Sequence, residues 1–155
     1  MPPRRWRPVD APMIFLLANT VFLILSVGYG WLAGDRLDRQ AAAWIVAALA
    51  GTLAATIYAA SHQVLAILAV DVVLLAAIVR IALRSPRYWP IWFAGLHLAG
   101  VACLFAASIA PSQHVETLRT FAGFWGVPAL LAMVFGLFLD RRAEARAKAY
   151  AQPST

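Results

Sequence analysis

A chain of 155 residues that is 63% hydrophobic and only 13% charged is far from a soluble globular domain, in which about a quarter of residues carry charge. With a mean hydropathy of +0.75, it has more apolar surface than a small water-soluble fold can hide, so lipid must serve as part of its solvent. The net charge of +6 comes from residues flanking apolar runs, where anionic headgroups sit, and no aromatic-basic patch or soluble domain points to nucleic acid.

Residues 1–10 read as a polar N-terminal arm containing "RRWR". The first apolar run, 11–34, has the basic start and small-residue end of a signal peptide. It is longer than the usual apolar region of about 7–15 residues and is expected to remain as a span. The charged "DRLDRQ" reads as a loop before span two, 41–60, and "SHQ" separates that span from span three, 64–83. "RSPRYWP" leads into span four, 89–110, and "PSQHVETLR" into span five, 120–139.

Each run approaches the roughly 20 apolar residues that cross a hydrocarbon core about 30 Å thick. Transmembrane strands would alternate apolar and polar residues in segments of about 10, and these runs do not. The expected fold class is therefore all-α: a polytopic transmembrane helical bundle of five spans over 11–140, with the lipid bilayer as its first partner. The basic tail, 141–155, has almost no large apolar face. It reads as a solvated, frayed helix with a disordered end rather than a membrane-surface helix.

Basic residues gather on the cytoplasmic side of membrane proteins. Arg36, Arg39, Arg80, Arg84, Arg87, Arg141, Arg142, Arg146 and Lys148 fall on one side of a five-span topology, and Arg4, Arg5, Arg7 and Arg119 on the other. That distribution favours a cytoplasmic C-terminus and an outer N-terminus, against the pull of "RRWR" toward the cytoplasm. Trp and Tyr anchor spans at membrane interfaces. Tyr29, Trp31, Trp44, Tyr88, Trp89 and Trp92 are expected at the cytoplasmic boundary, and Tyr58 at the opposite one.

Helices in lipid associate through small residues that let backbones approach. Span two offers Ala47, Gly51 and Ala55 at a spacing of four, and span four offers Gly95 and Ala99. These stripes suit packing within the chain, against a membrane-protein partner, or in a homo-oligomer. Pro128 interrupts the hydrogen bonding of span five and is expected to kink it.

Asp71 is the one carboxylate inside an apolar run. A charge there costs about 2.5–3.5 kcal/mol on insertion scales, so it is expected to face the bundle interior. A hairpin turning at 85–87 levels Asp71 with Ala102 and Cys103, and His97 with Ala76 and Ala77. The same construction through the other turns puts Asn19, Thr20, Thr52 and Asp71 in one layer. Asn19 and Thr52 are then the nearest partners, with His97 and Arg80 lower down. The constellation Asp71, Asn19, Thr52, His97 and Arg80 suits a proton or ion relay, a polar substrate site, or a hydrogen-bonded packing device.

His97 suits axial coordination of a haem-type group, but no second histidine shares its depth, and a hydrogen-bonded core residue is the plainer reading. His62 and His114 lie in short loops with Glu116 nearby and without a supporting metal motif, so neither a metal nor a cofactor is expected. The single Cys103 excludes an internal disulfide. No H-E-x-x-H, G-x-S-x-G or phosphate-cradling loop occurs, which argues against an enzyme. The chain also lacks the two matching halves with interrupted helices of an inverted-repeat transporter.

The stretch "VDVVLLAAIVRIALRSPRYWPIWFAGLHLAG" resembles the central segment of short multispan alphaproteobacterial proteins of unassigned function. These share an aspartate-bearing helix, a basic R-S-x-R turn, an aromatic YWPIW start and a polar residue at the position of His97. The resemblance implies a multi-pass protein of the bacterial inner membrane and carries no activity. Two expectations remain: a non-enzymatic accessory, scaffold or assembly subunit, and a small permease or ion-coupled carrier centred on Asp71.

Overall fold

The computed structural model describes residues 10–59 and 61–151. Residues 1–9 of the N-terminal arm, expected to be polar, and the last four residues of the tail, expected to be disordered, lie outside the described residues, and Asp10 of the arm begins the first helix. Five helices follow one another: α1 (Asp10–Ala33), α2 (Arg36–Tyr58), α3 (Gln63–Ala82), α4 (Trp89–Ile109) and α5 (Ser112–Ala151). No strand occurs among the described residues. Helices α2, α3, α4 and α5 are long and apolar enough to cross a membrane, whereas the apolar stretch described in α1, Asn19–Leu32, is shorter.

Each helix packs on its neighbours in the chain, and α1 closes the arrangement by packing on α5. The pairs Asn19 with Gly126 and Gly30 with Met133, and Ser26 with Leu130, advance together along both helices, so α1 and α5 run parallel. Ser26 is fully buried. Its hydroxyl donates to the Phe22 carbonyl at 2.7 Å and to the Leu130 carbonyl of α5 at 3.3 Å. Such a bond joins helices that the hydrophobic effect cannot join within lipid.

The apolar core occupies the end of the bundle where α1 turns into α2 and α3 into α4. It contains Ala42, Ile45, Ile78, Trp89, Phe93, Met133 and Leu137. Two glycines permit close approaches between helices there. A Cβ on Gly136 would collide with the Cβ of Trp89, and one on Gly30 would meet Met133 Cε at 2.6 Å. Higher up, Gly100 of α4 lies against Ala122 of α5.

Two stretches expected as connections are helical. In "DRLDRQ", the Asp35 side chain accepts from the Leu37 and Asp38 amides, while the Asp38 side chain accepts from the Asp35 amide. That reciprocal cap satisfies the first free N–H groups of α2 and starts the helix at Arg36. The "SQHVETLR" stretch forms the first turns of α5, which then continues through Pro128 and on to Ala151. Its 40 residues give about 60 Å at 1.5 Å per residue, twice a hydrocarbon core. The tail up to Ala151 is thus a direct extension of the fifth helix.

Candidate functional site

Asp71 and His97 are brought together, one helix from the other. The half-buried His97 places Nε2 3.2 Å from the Asp71 backbone carbonyl. A carbonyl only accepts, so Nε2 carries the hydrogen and Nδ1 is left as the acceptor in the neutral ring. The Phe93 ring packs one turn below His97, with centroids 5.9 Å apart.

The level of His97 differs from the hairpin construction, which placed it beside Ala76 and Ala77. The cause is an uneven turn. Asp71 stands 11 residues, about 16 Å, above the end of α3, and His97 only 8 residues, about 12 Å, above the start of α4. The connection over 83–88 therefore takes up about 4 Å of helical rise, and Trp89, 2% exposed, enters the core at the very start of α4. This also corrects the placement of Trp89 as an interface anchor.

The remaining members of the expected constellation lie elsewhere. Asn19 Oδ1 is buried without a hydrogen bond and lies beside Gly126 of α5, on a helix that does not pack on α3. Thr52 is half-buried, and its carbonyl accepts from the Thr56 hydroxyl at 2.8 Å. Among the described residues no hydrogen bond joins the Asp71 carboxylate to Asn19 or Thr52. Arg80 follows Asp71 by nine residues, which turns it to the opposite face of α3 at 100° per residue. There it lines a groove toward α2.

Of the small residues expected to pack, Ala55 is buried, and Gly51 lies against Val70 of α3, with a Cβ placed 3.1 Å from Val70 Cγ2. Ala47 is exposed in the same α2–α3 groove. Ala99 is half-buried, whereas Gly95 is exposed, with nothing within 4 Å of a Cβ built on it.

A second polar centre was not anticipated from the sequence. Arg87, in the turn before α4, is 15% exposed and reaches Asp38, 2% exposed, with Nη1 to Oδ2 at 2.5 Å. Trp89 Nε1 donates to the other Asp38 oxygen at 3.1 Å, and the Asp35 amide donates to Oδ2 at 2.9 Å. Arg87 Nη2 also donates to Glu144 at 3.2 Å and pairs more loosely with Asp35 at 3.7 Å, while Nε faces Asp140 at 3.6 Å. One guanidinium therefore ties α2, the α3–α4 turn and α5 together. Asp38 is saturated with donors and acts as a clamp. The signal available in sequence was the D-x-x-D spacing of Asp35 and Asp38, a carboxylate form of a helix-capping box.

Among the described residues no group of three or more His, Cys, Asp or Glu side chains is placed to hold a metal ion. Comparison with family models, with curated proteins and with solved structures finds no match. Function must therefore be argued from the geometry of the chain itself.

Proposed function

We propose that this chain is a five-span integral protein of the bacterial inner membrane that works by association, as an accessory, scaffold or assembly subunit, with its C-terminus in the cytoplasm. The observation that carries the reading is the extension of α5. Beyond Asp140 the helix continues to Ala151 with its described side chains exposed, and its root is fixed by the Arg87–Glu144 bond. A polar helical arm continuous with a membrane helix and anchored by a buried clamp offers a partner a pre-ordered surface.

Removal of residues 146–155 tests the reading, since it preserves the Arg87–Glu144 bond. In mild detergent, the full chain should run as a stoichiometric complex on native mass spectrometry, and the shortened chain should run alone at unchanged thermal stability. A full chain found only as a monomer or homo-oligomer rejects it.

The Asp71–His97 contact supports a second reading, a small proton-coupled carrier. In proteoliposomes, uptake that depends on a proton gradient and is lost in Asp71→Asn would establish it, because an amide cannot exchange a proton at physiological pH.

A further inference from the structure

The groove between α2 and α3 has a polar mouth and an apolar floor. The mouth holds Arg80, Arg84, Gln40 and Trp44, at one end of a recess of about 730 Å³. Arg80 and Arg84 are four residues apart, so they project from one side of α3 and its terminal turn. Ala43, Ala47 and Val73 continue the floor toward the bilayer centre. A second recess of about 300 Å³ shares Trp44, Ala47 and Val73 with the first and carries the track on to Gly51 and Val70. From Gln40 to Gly51 the groove extends about 16 Å along α2 at 1.5 Å per residue.

Charge decides what fits the mouth. The carboxylates Asp35, Asp38, Asp140 and Glu144 at this end of the bundle all engage Arg87. Arg80 and Arg84 are exposed, and among the described residues neither has a carboxylate within ion-pair distance. Two guanidiniums that face a groove without a carboxylate partner suit an anion there, and guanidiniums match phosphate oxygens well.

We propose that this groove binds an anionic phospholipid, its phosphodiester held by Arg80 and Arg84 and one acyl chain laid along Ala47, Gly51 and Val73. The apolar track behind the mouth selects a lipid over a free phosphate, because a soluble anion has no use for it. A zwitterionic lipid carries its own cation beside its phosphate and leaves the two arginines unpaid in charge. The site rests on the membrane-spanning reading and is independent of any protein partner.

The test uses the full chain in a mild detergent doped with equal amounts of phosphatidylglycerol and phosphatidylcholine of matched acyl chains, with bound lipid counted by native mass spectrometry. Two arginines near a membrane surface predict about a 30-fold preference for phosphatidylglycerol. Arg80→Gln with Arg84→Gln should bring the two lipids to parity, and Ala47→Phe, which fills the track while keeping both arginines, should also remove the phosphatidylglycerol adduct. Arg119→Gln at the opposite end should leave the preference intact.

All these side chains are exposed or half-exposed, so equal thermal unfolding in phosphatidylcholine confirms that each variant is folded. Equal retention of both lipids by the wild-type chain overturns the proposal, as does a preference insensitive to the arginine changes. Glycerol phosphate displacing the lipid at equal concentration overturns the lipid as the source of the phosphate. A second polypeptide that occupies the groove and excludes phosphatidylglycerol overturns it too. Release of the protein from membranes by alkaline carbonate would instead reject the membrane-spanning reading itself.

Discussion

At the scale of single residues, the strongest local constraint is the ion pair between Arg87 and Asp38. Both side chains are largely withdrawn from solvent, so removing Arg87 leaves the Asp38 charge buried and uncompensated, a loss of about 3–5 kcal/mol, whereas Arg87 without Asp38 keeps Glu144 at 3.2 Å. Arg87→Met should therefore be severely destabilising in reversible unfolding from mixed micelles. Asp38→Asn keeps an acceptor for the Trp89 indole and should cost less, about 1–3 kcal/mol. The double variant should be more stable than the sum of the two losses implies, because the second substitution removes the charge that the first stranded. Strict additivity would show that the two groups do not act as a pair. Asp71 presents the opposite case. Its carboxylate has no described hydrogen-bond donor, and the contact with His97 is made by its backbone.

At the scale of helices, close approach is concentrated where α4 meets α5. Gly136→Ala would drive a methyl into Trp89, a residue held on its other side by Asp38, so the helices must part at about 1–3 kcal/mol. Gly95→Ala meets open space and should change stability by less than about 0.5 kcal/mol or raise it, since alanine is the better helix former. A pair of thermal melts in one detergent distinguishes the two positions, and equal shifts would contradict the packing of α4 on α5. The contrast marks what the sequence reveals. Apolar runs locate the bodies of α2, α3 and α4 because hydrocarbon demands about 20 such residues whatever their neighbours are. Helix ends are less legible. "DRLDRQ" and "SQHVETLR" are charged or polar and read as loops, although capping at Asp35 makes the first helical. Small-residue spacing alone cannot tell Gly136, under an indole, from Gly95, under nothing. The level of His97 was missed because equal counting from a turn assumes a symmetric hairpin, and this one is asymmetric.

At the scale of the whole molecule, the fold supplies an argument about topology that charge counting alone lacks. Arg87 joins Asp35 before α2, the turn before α4, and Asp140 and Glu144 of α5, so these three segments share one end of the bundle. Because α1 runs parallel to α5, residue 10 and residue 151 lie toward opposite ends. Arg36, Arg39, Arg80, Arg84, Arg141, Arg142 and Arg146 accompany Arg87 at the first end, leaving Arg119 at the other among the described residues. Basic residues remain in the cytoplasm at synthesis, so the Arg87 end is expected to be cytoplasmic and α1 to cross from outside to inside. A cysteine introduced at Ser112, in a variant with Cys103→Ala, should react with a membrane-impermeant maleimide added to intact spheroplasts. One at Arg146 should react only after the membrane is opened. The reverse pattern would invert the orientation. Reaction of a cysteine at Arg5 only from the cytoplasm, with Ser112 still labelled from outside, would show that α1 does not cross, and would require it to pack on α5 from within the leaflet instead.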